Sequence, residues 1–155
     1  MPSVVVLNGP NLNLLGTRRP EVYGTTTLAQ VEELCRQEAA ELGLDIELRQ
    51  SNHEGRLIDW IQEVGAAHRD GRCIGAVFNP GGFTHTSVAL HDAIEGTRLP
   101  VIEVHVSHLH RREDFRHHSY ISLVARGIII GLGVHVYPLG IRALHRIAAE
   151  AGVAG

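Results

Sequence analysis

The sequence predicts an α/β fold with five parallel strands in the order 2-1-3-4-5, a flavodoxin-like three-layer sandwich with helices on both faces of the sheet. Three observations carry this. Strand-like and helix-like segments alternate along the whole chain. The first strand, Val4-Val5-Val6-Leu7, is an unbroken apolar run, as a strand buried on both faces in the middle of a parallel sheet requires. The second alternates Leu44, Ile46 and Leu48 with Asp45, Glu47 and Arg49, the pattern of a strand wet on one side, which places it at an edge.

Taken in order, the first strand ends at Asn8-Gly9-Pro10 and leads into a long polar loop. Thr27 and Gln30 then make a capping box before Leu28, Val31, Leu34, Cys35 and Leu42, which follow helical spacing until Gly43 ends the helix. After the edge strand, Leu57, Ile58, Ile61 and Val64 repeat at helical spacing from about Glu54, with Gly71 following. Trp60 is expected to pack there. Cys73 to Phe78 is the third strand, stopped by Asn79-Pro80-Gly81-Gly82. Thr86 or Ser87 caps a third helix through Glu95. Pro100 to Val104 is the fourth strand, followed by a histidine-rich loop and a short helix expected near Glu113 to Val124. Gly127 to Ile130 is the fifth strand, and a terminal helix runs to Ala151, with Tyr137 and Pro138 expected to pack against the fifth strand. No repeat or linker interrupts the chain, so residues 1–155 are read as one domain.

Composition narrows the function. A chain of 155 residues buries roughly 70% of its unfolded surface, enough for one core. The formal net charge of -3, with no basic run beyond Arg111-Arg112, argues against a general nucleic-acid partner. Cys35 and Cys73 lack CxxC spacing and read as buried free thiols in a reducing compartment. No charged-then-apolar leader precedes the first strand and no apolar stretch approaches 18 residues, so a cytoplasmic protein without a membrane partner is expected.

In open α/β sheets ligands bind beyond the carboxyl ends of the strands, at the point where strand order reverses. The loop from Asn11 to Tyr23 begins there. A tyrosine hydroxyl, with a reference pKa of about 10, needs help to act as a base at neutral pH. An arginine within about 4 to 6 Å gives that help by favouring the phenolate. Arg18 and Arg19 precede Tyr23 closely enough for contact. The alternative is that both arginines are solvated and Tyr23 is a half-buried packing residue. The order 2-1-3-4-5 brings two further polar loops to the same crevice, Asn79 to His85 and His105 to Arg116. Glu103 and His105 are two apart on one strand and leave the same face, which suits a carboxylate holding an imidazole as a general acid, or a surface ion pair.

Six stretches resemble the type II 3-dehydroquinate dehydratases in order and spacing. They are Asn8-Gly9-Pro10-Asn11-Leu12; Leu15-Gly16-Thr17-Arg18 through Tyr23-Gly24; Gln50-Ser51-Asn52-His53-Glu54-Gly55; Asn79-Pro80-Gly81 with Thr84-His85-Thr86-Ser87; Glu103-Val104-His105-Val106-Ser107; and Phe115-Arg116-His117-His118-Ser119. The resemblance implies a single catalytic domain that dehydrates 3-dehydroquinate to 3-dehydroshikimate by trans elimination, without metal or cofactor, in the shikimate pathway or in quinate breakdown. It implies Tyr23 as base held as phenolate by Arg18, Asn11 binding the enolate through an ordered water, and His105 as acid oriented by Glu103. Asn79, His85 and Arg116 would hold the ring hydroxyls, and the Val106 and Ser107 amides the carboxylate. It further implies trimers assembled into a dodecamer, with Asp92 reaching a neighbouring subunit's site. The loop flanked by Gly16 and Gly24 is expected to close over substrate.

Three positions depart from the family pattern. Arg19 replaces a glutamate, Phe83 a tyrosine and His108 an asparagine, which leaves open which arginine holds Tyr23 and suggests altered affinity. Two other motifs point elsewhere. His105, His108, His110, His117 and His118 suggest a zinc or iron hydrolase, but His105-x-x-His108 sits on a loop and no paired carboxylates or cysteines accompany it, so adjacent solvated histidines are expected. Gly131-x-Gly133 suggests a nucleotide-binding or signalling module, but Val136 stands where the third glycine is needed, and a tight turn explains the pair.

Overall fold

Val4 to Leu7 are all buried because β1 (Ser3–Asn8) pairs with a strand on each side and is covered by helices above and below. In this computed structural model, which describes residues 1–152, the elements after β1 are α1 (Pro20–Tyr23), α2 (Leu28–Glu41), β2 (Asp45–Gln50), α3 (Glu54–Arg69), β3 (Cys73–Asn79), α4 (Val88–Thr97), β4 (Val101–His105), β5 (Gly127–Ile130) and α5 (Val136–Glu150). The last three residues of the expected 1–155 domain lie outside the described part. The strands pair in parallel in the order β2-β1-β3-β4-β5, the predicted flavodoxin-like sheet. β2 is at an edge, and Ile46 and Leu48 are only half-buried there.

Two apolar layers hold the sheet. Alternate residues of β1, Val4 and Val6, join Val77, Ile102 and Val104 under α2 and α5; Val5 and Leu7 join Ala76, Phe78 and Val101 under α3 and α4. Each fully buried Val, Leu or Ile contributes about 2 kcal/mol relative to exposure. The capping box forms, with Thr27 N–H donating to Gln30 Oε1 at 2.9 Å and Gln30 N–H to Thr27 Oγ1 at 3.3 Å. Ser87 caps α4 by accepting from Leu90 N–H at 3.0 Å. Among the described residues no helix is long and apolar enough to cross a membrane.

The short helix expected over Glu113 to Val124 is replaced by a single 3-10 turn, Asp114–Arg116, followed by further turns. Hydroxyls have taken over from the helical ladder. Ser119 Oγ accepts from the N–H groups of Ile121 and Ser122, both at 3.1 Å, a local bond that competes with helix. Ile121 is buried, while Phe115 is 62% and Leu123 73% exposed, so the stretch has no continuous apolar face to dock. Three ends of β3 and β4 also move: β3 runs on to Asn79, and β4 starts at Val101 and runs on to His105.

Candidate active site

The carboxyl ends of β1 and β3 meet at Asn8 and Asn79, which are register partners. Gly9 N–H donates to the Asn79 carbonyl at 2.8 Å. A Cβ on Gly9 would lie 2.4 Å from the Pro80 carbonyl oxygen, so only glycine lets the two loops touch. The Gln50-Ser51-Asn52 stretch buttresses this junction. Gln50 Nε2 donates to the Gly9 carbonyl at 3.1 Å, and Asn52 Oδ1 accepts from Asn11 N–H at 3.0 Å. That bond holds Asn11 in the left-handed region at φ 69°, a conformation asparagine tolerates better than most residues.

Beyond these ends lies a cavity of about 210 Å³, small beside the pockets that hold drug-sized ligands. Asn11, Arg18, Tyr23, Asn79, His85, His105, Val106, Ser107 and Arg116 all line it, together with Arg112. Three loops that are distant in sequence therefore converge as the strand order requires. Two of the expected residues are not on its wall. Glu103 sits behind His105, fully buried. Asp92 stands on α4 with its side chain 67% exposed, bonded to His91 Nδ1 at 3.0 Å.

His105 Nε2 and Glu103 Oε2 are 2.5 Å apart. The carboxylate accepts, so Nε2 carries the hydrogen and Nδ1 is left for other chemistry. Burial pushes the Glu103 carboxyl up, but the bond and charge of His105 and the hydroxyls of Ser122 and Ser119 outweigh it and hold the group below the usual carboxylate range. Ser122 Oγ donates to Oε1 at 2.7 Å and Ser119 Oγ to Oε2 at 2.9 Å. Glu103 thus stays ionised inside the protein because three donors face it. His85 Nδ1 donates to the His118 carbonyl at 2.8 Å. Burial chiefly, aided by the charges of Arg116 and His105, lowers the His85 pKa against the pull of that carbonyl. The neutral ring then offers Nε2 as an acceptor.

The surroundings of Tyr23 answer which arginine reaches it. Arg112 Nη1 donates to the Tyr23 hydroxyl at 2.8 Å and to Ser107 Oγ at 3.2 Å. The Arg18 guanidinium carbon lies 5.0 Å from the centre of the Tyr23 ring, over its face. Arg19 turns away to Glu21 at 3.2 Å, its side chain half exposed. Arg112 has only 10% of its side chain exposed, and its Nη2 is buried without a partner among the described residues. The sequence reading missed Arg112, seen there only as half of a basic pair. It missed Ser119 and Ser122 as well, whose spacing of three in a stretch without helical apolar periodicity was the available signal.

The departures and alternative motifs also find their places. Phe83 packs against the core under α3 and α4, and His108 borders a neighbouring hollow with Gly131 and Gly133 rather than the main cavity. The rings of His108, His110 and His117 pack on one another with centroids 6.2 and 5.6 Å apart. Among the described residues no three His, Cys, Asp or Glu side chains converge as a metal site would require. The N–H groups of Gly131 and Gly133 donate to the carbonyls of His105 and Val106 at 3.0 and 3.2 Å, so they form a turn and do not cradle a phosphate.

Residues 2–145 match the model of the family described as Dehydroquinase class II. The chain is 62% identical over 144 residues to a 3-dehydroquinate dehydratase of Variovorax paradoxus, covering 93% of this chain and 99% of that protein. It is 60% identical to one of Marinomonas sp., covering 96% of this chain and 100% of that protein. Its fold is similar to the crystal structure of a type II dehydroquinase from Propionibacterium acnes, with a TM-score of 0.86 at 40% identity over 94% of this chain and 97% of that one. With the match running through all five strands and every wall of the cavity, the chain belongs to the dehydroquinase class II family, a family of hydro-lyases.

Proposed function

We propose that this chain converts 3-dehydroquinate to 3-dehydroshikimate and water by trans elimination through an enolate. The observation that carries the reading is one cavity lined by a phenol bonded to a guanidinium and an imidazole bonded to a buried, ionised carboxylate. Tyr23, as phenolate beside Arg112 and under Arg18, takes the proton from the carbon next to the ketone. The electron pair moves onto the ketone oxygen, and Asn11, directly or through one water, binds the enolate at the point where charge develops. The enolate then collapses, the bond to the β-hydroxyl breaks, and His105 Nδ1 supplies the proton that lets it leave as water. Glu103 holds the opposite nitrogen and stabilises the imidazolium. The chain's 14 basic residues are all arginine, so the ketone meets no lysine amine with which to form an imine.

Binding is divided by chemistry. His85, neutral, accepts from a ring hydroxyl, while Asn79 and Arg116 donate to others. The amides of Val106 and Ser107 hold the carboxylate, and the buried Nη2 of Arg112 gains an acceptor. The loop from Gly16 to Gly24, which carries Tyr23, closes over the bound ring. We assign the whole chain to a single catalytic domain working in the cytoplasm, in the shikimate pathway or in quinate breakdown. Trimers assembled into a dodecamer are part of the same reading. The exposed position of Asp92 on α4, outside its own cavity, supports its reaching the site of a neighbouring subunit.

Stereospecifically deuterated substrate tests the pathway. Loss to solvent of the hydrogen anti to the departing hydroxyl, with full activity after borohydride treatment in the presence of substrate, is the expected result. Loss of the syn hydrogen, or inactivation with a covalent adduct, would overturn it.

A further inference from the structure

The first helical turn of α5 puts a tyrosine under the cavity floor. Tyr137 is fully buried in the apolar layer beneath α2 and α5, with its hydroxyl placed between the ends of β1 and β3. It accepts from Asn79 Nδ2 at 2.9 Å and donates to Asn8 Oδ1 at 2.5 Å. α5 can come this close because Gly140, one turn on, faces β3. A Cβ there would lie 3.1 Å from both methyls of Val77.

The direction of these bonds follows from one fixed donor. Gly81 N–H meets the Asn79 side chain at 3.1 Å, and an amide N–H only donates, so the atom it meets is Oδ1. The other end of the carboxamide, Nδ2, therefore faces Tyr137, and the phenol hydrogen must pass on to Asn8 Oδ1. Burial raises the Tyr137 pKa, outweighing the opposing bond from Asn79, so the hydroxyl keeps its hydrogen throughout the ordinary pH range. Gly81, Asn79, Tyr137 and Asn8 form a chain in which no member can turn over alone. The amide of Asn79 is left with one N–H that has no partner among the described residues, beside the cavity it lines.

We infer that Tyr137 is a positioning residue for substrate binding, fixing the Asn79 carboxamide so that it presents a donor, and never an acceptor, to the cavity. The inference rests on the reading above that Asn79 holds the substrate. A group seated against Asn79 must then offer an oxygen lone pair, while a hydroxyl hydrogen is met instead by His85. Without the phenol hydroxyl the amide is held at one end only, and part of the enzyme rotates it away from the productive orientation before substrate can bind.

The test is a double-mutant cycle with 3-dehydroquinate as substrate. KM and kcat are measured for the parent, Tyr137→Phe, Asn79→Ala and the double variant, with thermal melts of each. Tyr137→Phe is expected to raise KM about tenfold, and to leave the shape of the kcat pH profile unchanged because neither Tyr23 nor His105 belongs to the chain. In the Asn79→Ala background the same substitution is expected to change KM less than about twofold. Asn8→Ala, which removes only the terminal acceptor, is expected to raise KM in the same Asn79-dependent way and serves if Tyr137→Phe does not fold. An unchanged KM in folded Tyr137→Phe, an equal effect in both backgrounds, or a shifted pH profile would overturn the inference. If Asn79→Ala itself leaves KM at the parental value, the assignment of Asn79 to substrate binding fails; if Asn79→Ala raises KM and Tyr137→Phe does not, only the role of Tyr137 fails.

Discussion

Arg112 and Tyr23, 89 positions apart in sequence, share a 2.8 Å hydrogen bond from guanidinium to phenol. The bond ties the loop after β4 to the loop after β1, and it gives the proposed base a buried cationic partner that does not come from its own loop. Arg18 contributes from the ring face and Arg19 not at all. A hydrogen bond to a charged group is worth about 1.5 to 3 kcal/mol. Arg112→Ala is therefore expected to lower kcat about 10- to 100-fold in steady-state assays, with Arg19→Ala within about threefold of the parent. The reverse ranking would remove Arg112 from the base.

Acid should weaken the fold in two stages. His85 has a lowered pKa in the folded state, so its contribution is complete above the unfolded value of about 6.5 and is lost as pH falls through the folded one. Glu103, also lowered, contributes fully above about 4.3 and loses that contribution as pH falls through its folded value. Urea midpoints at pH 7.5, 5.5 and 4 should decrease in that order. Ser122→Ala, which removes the 2.7 Å donor to Oε1, should lower stability at neutral pH and flatten the second stage. An unchanged acid slope would show that this hydroxyl is not what keeps Glu103 ionised.

Both thiols should be inert until the chain unfolds. Burial pushes Cys35 up to about 12 and raises Cys73 as well, and both side chains are inside the core. Maleimide is expected to label neither in the native protein and both in denaturant. Rapid native labelling of either would place it at the surface.

Gly9→Ala should damage stability and site together, since the new methyl would meet the Pro80 carbonyl and force the β1 and β3 loops apart. Overpacking of this kind costs about 1 to 3 kcal/mol, several degrees in Tm, and KM should rise with it. A melt within one degree of the parent would contradict the close approach.

The sheet order was legible because one strand, Val4 to Leu7, is apolar throughout and another, Leu44 to Arg49, alternates. These two patterns say which strand is central and which is at an edge. The same order predicts that the loops carrying Tyr23, Asn79 and His105 converge, and they do. What stayed hidden were relations between residues of ordinary type. Arg112 looked like surface charge, Tyr137 like packing, and Ser119 and Ser122 like part of a helix. Their roles depend on partners 89, 58, 16 and 19 positions away, and no local periodicity records such pairings. The missing helix at Glu113 to Val124 has the same origin, because the carboxylate that recruits its serines lies on another strand.

The most direct measurement follows the ultraviolet absorbance of the conjugated enone after adding 3-dehydroquinate, in excess chelator, to the parent and to Tyr23→Phe. The substitution keeps the ring and removes the base. The parent is expected to produce the enone and Tyr23→Phe to do so at least about 100-fold more slowly. A silent parent would contradict the dehydration, and a Tyr23→Phe rate within a few-fold of the parent would contradict the phenol as its base.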